Sequence, residues 1–224
     1  MIKQLQMGYK LLRYAHGVKT CVIWSIIIFI YGVLVEWYTM PDEVSGVHMG
    51  IYFIIMVAMW PLQLLASMNV PYVIASSPWK KKIQTSVAAV LSTVCFLFTY
   101  AVVAIIEGIK FRKNLITAED LTFLVLWGGG FALMLMVYMA CSTKYFVVST
   151  IVFFVAMSGI SAIASIRNFF EIPFLHISLH PALVIMLGIL LVVLGGLLQY
   201  GISVLLYKAP VSKYSQMNSL RRKM

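Results

Sequence analysis

Charge is laid out along this chain in a way that leaves it few possible folds. Six stretches run without a single Asp, Glu, Lys or Arg: Thr20 to Val35, Val44 to Trp79, Ile83 to Ile106, Leu121 to Thr143, Tyr145 to Ile166 and Ile172 to Tyr207. Between them the ionisable residues gather in short clusters. A helix crossing the hydrocarbon of a bilayer needs about 20 mostly apolar residues, within a range of about 17–25. The composition agrees, with 62% hydrophobic and 11% charged residues in a chain of 224, where a soluble domain is about half apolar and about a quarter charged. A globule of this size has too little interior to hide so much apolar surface from water. Disordered, fibrous and disulfide-stapled classes are excluded for the same reason.

The expected fold is therefore all-α: a polytopic membrane protein with six transmembrane helices. The spans are placed near residues 20–38, 50–75, 83–107, 121–142, 145–166 and 182–207. The first window is short, but Lys19 can snorkel and Trp37 and Tyr38 suit a membrane interface. The two long windows carry their own breaks: Pro41, Gly46 and His48 before the second span, and Pro173, His176, His180 and Pro181 before the sixth. Pro61 and Pro71 fall within the second span and should kink it, which membrane helices tolerate. The apolar run begins only after a basic leader ending at Lys19, and no small-residue cleavage site follows. The first span is expected to remain as an anchor. Within residues 1–19, Ile2, Leu5, Tyr9 and Leu12 recur at helical spacing with lysines on other faces, the pattern of an interfacial helix. An irregular basic leader is the alternative. Residues 208–224 form a basic tail.

The net charge of +10 would point to nucleic acid in a soluble protein, but here its distribution is read against the membrane and no nucleic-acid partner is expected. The positive-inside rule puts Lys3, Lys10, Arg13, Lys19, Lys80, Lys81, Lys82, Lys144, Lys208, Lys213, Arg221, Arg222 and Lys223 on one side. Only Lys110, Arg112, Lys113 and Arg167 fall on the other. Both termini are accordingly expected in the cytoplasm. All seven acidic residues, Glu36, Asp42, Glu43, Glu107, Glu119, Asp120 and Glu171, then lie on the outer side. Glu36 and Glu107, at span ends, read as solvated interface charges in preference to proton-relay groups.

Several chemistries leave no trace. There is no glycine-rich phosphate loop ending in Gly-Lys-Ser/Thr, and the glycines between Gly196 and Gly201 sit in an apolar helix. Ser158, Gly159 and Ser161 lack the glycine-flanked serine arrangement and a histidine partner. His176 and His180 have the spacing to share a helix face for a metal, but Pro181 adjoins them and no third ligand is evident, so interface histidines are the favoured reading and no metal is expected. Cys21, Cys95 and Cys141 lie in or at the end of apolar stretches and read as packing residues. Gly128, Gly129 and Gly130, with Gly188, Gly195, Gly196 and Gly201, read as surfaces for close helix approach.

The stretch Ala75-Ser76-Ser77-Pro78-Trp79-Lys80-Lys81-Lys82-Ile83-Gln84-Thr85-Ser86 closes the second span and opens the third on the basic side. It resembles the "small–Pro–x–basic–basic" turn that joins the same two spans in the membrane subunits of type-two ABC exporters. The likeness takes in most of the chain: a basic amphipathic leader, six spans, cytoplasmic termini, a very short turn at Ser142-Thr143-Lys144, and the proline-bearing apolar segment Asn168 to Leu179 before the last span. Lys80 to Lys82 stand where that family usually has Arg. The resemblance implies a permease in a cell membrane, most simply a bacterial plasma membrane, and not itself an enzyme. It implies two separate ATPase subunits that bind ATP and Mg, a second membrane subunit, identical or different, and no cofactor on this chain. Ser77, Pro78, Trp79, Lys80, Lys81 and Lys82 would then form the loop that couples to the ATPase. The function implied is export of an amphipathic or hydrophobic substrate such as a peptide, toxin or antibiotic. The alternative is a membrane-embedded enzyme or an ATP-independent membrane protein whose catalytic residues carry no recognisable motif.

Overall fold

A computed structural model describes residues 4, 6–8, 10, 18–39, 48–68, 79–142, 144–169 and 178–208. Among them every regular element is helical: α1 (Val18–Tyr38), α2 (Met49–Met56), α3 (Met59–Met68), α4 (Ala88–Arg112), α5 (Ala118–Ser142), α6 (Phe146–Phe169) and α7 (Pro181–Leu205). A helical turn at Lys80–Lys82 and a π-helical stretch at Ile83–Val87 lead without interruption into α4, and a 3₁₀ turn at Leu206–Lys208 closes α7. Four helices, Val18–Tyr38, Ile83–Arg112, Ala118–Ser142 and Pro181–Lys208, are long and apolar enough to cross a membrane. That property marks the chain as a membrane protein. Met49–Leu65 and Phe146–Gly159 are shorter apolar helices.

The interruption between α2 and α3 follows from Pro61. A proline has no N–H to give the carbonyl four residues back, and its ring crowds that carbonyl. The carbonyl in question is that of Val57, which instead accepts from Trp60 N at 3.2 Å, while Ala58 N reaches Ile55 O at 3.1 Å. The chain thus tightens at Val57–Ala58, one turn before the proline. Pro71 lies outside the described residues.

The connection from α4 to α5 is short because both ends are capped by the chain itself. Asn114 takes a left-handed conformation, φ 55°, which asparagine tolerates better than most residues. Leu115 N then reaches back to Lys110 O and Asn114 N to Phe111 O, each at 3.0 Å, the two reversed hydrogen bonds of a Schellman ending. Three residues later Thr117 and Asp120 cap each other. Asp120 N donates to Thr117 Oγ1 and Thr117 N to Asp120 Oδ2, both at 3.2 Å, a capping box at the start of α5. At the other end of α5, Tyr145 N donates to Cys141 O at 2.8 Å before α6 begins.

The interior lies among α2, α4, α5 and α7. Ile51, Ile54, Ile55, Phe96, Tyr100, Val103, Val125, Leu135, Met136, Val184 and Val192 are all fully or nearly fully buried there. Close approach depends on particular glycines. A Cβ on Gly188 would collide with the Tyr100 ring, and one on Gly129 would stand 3.1 Å from Gly188 Cα. Gly195 and Gly196 face Met136 and Thr93 in the same way, whereas Gly130 and Gly201, expected in packed surfaces, face open space. α1 lies outside this core against α2, and α6 lies outside it against α5. Their outer faces present Ile23, Ile26, Ile30, Val148, Ile151 and Phe154, each more than half exposed, as helices facing hydrocarbon would. The three cysteines are free.

The bundle has two distinguishable ends. One carries Glu36, His48, Lys110 and the junction of Leu179 N with Thr122 Oγ1 at 3.2 Å. The other carries Leu65, Ile83 and Leu91, which pack with Met7 of the leader, and Lys81 above the Tyr207 ring. Gln4, Gln6, Met7, Gly8 and Lys10 are helical, whereas Ile2, Leu5, Tyr9 and Leu12 lie outside the described residues.

A buried charge cluster and an exposed basic turn

At the first of these ends the structure corrects the sequence reading. Glu36 and Glu107 are not solvated: both are fully buried, and Lys110 is buried with them at 2% exposure. The arrangement starts from a backbone crossing. A Cβ on Gly50 would collide with the Cβ, N and Cα of Glu36, and a Cβ on Gly32 would stand 2.9 Å from Phe53 Cβ. With hydrogens at Gly32 and Gly50, α1 and α2 cross almost in backbone contact. The crossing delivers the Glu36 carboxylate to the first turn of α2, where Ile51 N donates to Oε2 at 3.0 Å. The first N–H groups of a helix have no intrahelical partner, and His48 at the N-cap provides no side-chain cap. Glu36 therefore caps α2 from a neighbouring helix, where helix polarity also favours a negative charge.

The other Glu36 oxygen, Oε1, accepts from His48 Nδ1 at 2.7 Å and from Lys110 Nζ at 3.3 Å. Lys110 Nζ donates as well to Thr39 O at 3.3 Å, closing the end of α1. One turn earlier on the same helix, Glu107 brings Oε1 to 3.3 Å from Lys110 Nζ. That is ion-pair distance but not hydrogen-bond geometry, and neither carboxyl oxygen of Glu107 is hydrogen-bonded among the described residues. The cluster is thus asymmetric. Glu36 has three donors and Glu107 has none.

Burying such charges costs several kcal/mol per ion unless they are paired and hydrogen-bonded. A four-residue cluster in which one carboxylate accepts from three donors and another from none is an unusual interior. Its sequence signal is Glu107 and Lys110 one turn apart, on one helix face, with Ile105, Ile106, Ile109 and Phe111 around them.

The basic turn predicted to couple to an ATPase lies at the opposite end. Ser77 and Pro78 lie outside the described residues. Trp79 is about half exposed at 52%, and Lys81 and Lys82 are exposed. Lys82 Nζ stands 5.1 Å from the centroid of the Trp79 ring and Lys81 Nζ 5.9 Å from that of Tyr207, cation–π distances. Lys80 is helical. Immediately after these lysines the ladder loosens into the π-helical turn, where Thr85 Oγ1 donates to Lys81 O at 2.7 Å and Ser86 Oγ to Lys82 O at 3.2 Å. Such hydroxyl back-bonds compete with the backbone for the carbonyl and bend helices. His180 is the exposed N-cap of α7, His176 lies outside the described residues, and no group of three His, Cys, Asp or Glu placed to hold a metal ion occurs among the described residues.

No family model, curated protein or solved structure matches this chain.

Proposed function

We propose that this chain is the membrane subunit of an ATP-driven exporter for an amphipathic or hydrophobic substrate, such as a peptide, toxin or antibiotic, powered by separate ATPase subunits. The observation that carries the reading is the turn at Trp79 to Lys82. An exposed tryptophan and exposed lysines head the helix that runs through the core as α4, and a π-helical turn intervenes. π-turns of this kind recur at functional positions. Force applied by a partner at Trp79 would pass along α4 into the packed interior.

In this reading the bundle makes six passes: α1, the kinked pair α2–α3, the helix through α4, α5, α6 and α7. Both termini are cytoplasmic, with the Trp79 end inside, a placement supported by the excess of lysine and arginine on that side of the sequence. The chain holds no nucleotide. ATP and Mg bind the partner subunits, and a second membrane subunit, identical or related, completes the pathway in a cell membrane, most simply a bacterial plasma membrane. Closure of the ATPases would rock the membrane halves from inward to outward access.

The test is a comparison of truncations at the turn. Exposed rim lysines contribute little to an interface, whereas a tryptophan inserted in a partner cleft costs roughly 2 kcal/mol or more when removed. Trp79→Ala should reduce recovery of the ATPase and substrate-stimulated ATP turnover more than Lys80→Ala, Lys81→Ala or Lys82→Ala, with membrane insertion intact. Normal values for Trp79→Ala remove this turn from the coupling role.

A further inference from the structure

We propose that the cluster of Glu36, His48, Glu107 and Lys110 is a binding site for one exchangeable proton, seated on the Glu107 carboxyl. The inference is independent of the exporter reading, because it rests only on the geometry at the Glu36 end of the bundle.

The first ground is the inventory of donors. Glu36 accepts from His48 Nδ1, Ile51 N and Lys110 Nζ and keeps open one of a carboxylate's roughly four accepting positions, while Glu107 is fully buried with neither oxygen hydrogen-bonded among the described residues. The second is charge: wherever His48 carries no extra proton, two carboxylates and one ammonium leave one negative charge in excess among fully buried side chains, and an isolated buried charge is far costlier than a neutral group. One proton cancels the excess charge and gives one of the two Glu107 oxygens a hydrogen to donate. Taken up from water, it converts the Glu107 carboxylate to a carboxylic acid and turns an acceptor lacking donors into a donor. The Glu36 carboxylate, held by the same Lys110 Nζ at 3.3 Å, is the neighbouring acceptor for that hydrogen. A metal cation is disfavoured, because the Lys110 ammonium already occupies the position between the two carboxyls.

The surrounding elements bring no other described ion into the pair set. α5 opens with Glu119 and Asp120, and the Asp120 carboxylate is engaged by Thr117. α7 opens at exposed His180, and Lys113, past the end of α4, lies over the Trp37 ring at 5.2 Å. The site ties α1, α2 and α4 together, so gain or loss of the proton changes the force that holds those three helix ends.

Infrared difference spectroscopy of the full chain in liposomes, recorded across pH and in heavy water, reads the site directly. The wild-type protein should show the carbonyl band of a buried carboxylic acid that titrates and shifts on deuteration. The band should be lost in Glu107→Gln and unchanged in Glu119→Gln. It should also be lost at neutral pH in Glu36→Gln, where the excess charge is removed without a proton. Absence of the band in the wild type, as when His48 takes the proton instead, overturns the proposal, and so does its persistence in Glu107→Gln. Should Glu107→Gln fail to insert, persistence of the band in Glu36→Gln overturns it equally.

Discussion

Without the Lys110 ammonium, Glu36 and Glu107 would face each other with only His48 and the Ile51 N–H to answer them. Removing one partner of a buried ion pair is far more damaging than never having had the pair, since it leaves an uncompensated charge. Lys110→Met keeps most of the stem's apolar packing and deletes only the charge, so it isolates the electrostatic part. We expect it to destabilise the protein by about 3 kcal/mol or more, read as a lowered unfolding midpoint in detergent. Lys113→Met, at the exposed cation–π contact with Trp37, should cost well under about 1 kcal/mol. Equal small effects of the two substitutions would mean that the Glu36 cluster is open to water. The sequence placed Lys110 among the outer charges and Glu36 and Glu107 at solvated span ends. Position along a window cannot distinguish a carboxylate turned to the interface from one turned inward. The difference is made by Gly50, which admits the α1 backbone at Glu36, and nothing local to Glu36 announces it.

Helix crossings carry the next level of specification. Gly50 and Gly130 have the same chemistry, yet a Cβ on Gly50 meets backbone atoms of α1, which cannot step aside, while one on Gly130 meets nothing within 4 Å. Gly50→Ala should therefore force α1 and α2 apart, break the bond from Ile51 N to Glu36 and lower the unfolding midpoint markedly. Gly130→Ala should be neutral, or stabilising by up to about 1 kcal/mol through helix propensity. Indistinguishable midpoints for the two variants would contradict the crossing. At this scale the sequence was informative where the signal is local. The kink came from Pro61 and the short turn after Ser142 from the charge at Lys144, and α7 starts at Pro181, one residue from the expected boundary. The Schellman ending at Asn114 and the capping box of Thr117 and Asp120 were legible too, as an Asn past the last helical turn and a Thr three residues before an Asp, but the uncharged-window reading does not look inside the loops. Which glycines pack was not legible: Gly129 and Gly188 meet, and Gly130 and Gly201 do not, because facing depends on the rotation of each helix about its axis.

For the molecule as a whole, charge asymmetry and function meet at the two ends of the bundle. In the proposed topology Lys81 faces the cytoplasm and Arg112 the outside. In a cysteine-free background, single cysteines at these positions should be labelled by an impermeant reagent from opposite faces of sealed membranes. Labelling of both from outside would overturn the six-pass arrangement. Composition and uncharged windows sufficed to recognise a helical membrane protein, because burial of apolar surface in lipid is a property of whole segments. They could not reveal a partner, because a basic turn at a membrane surface serves anionic lipid and a docked protein alike. The central claim, that a separate ATPase drives this chain, is tested most directly by purifying the tagged full-length chain from its own membrane in mild detergent and measuring ATP turnover of the recovered complex. The account predicts a co-purifying ATP-binding chain, vanadate-sensitive turnover in the complex, and none in the chain stripped of that partner. Turnover by the stripped chain itself, or recovery of an active transporter with no ATP-hydrolysing partner, would contradict it.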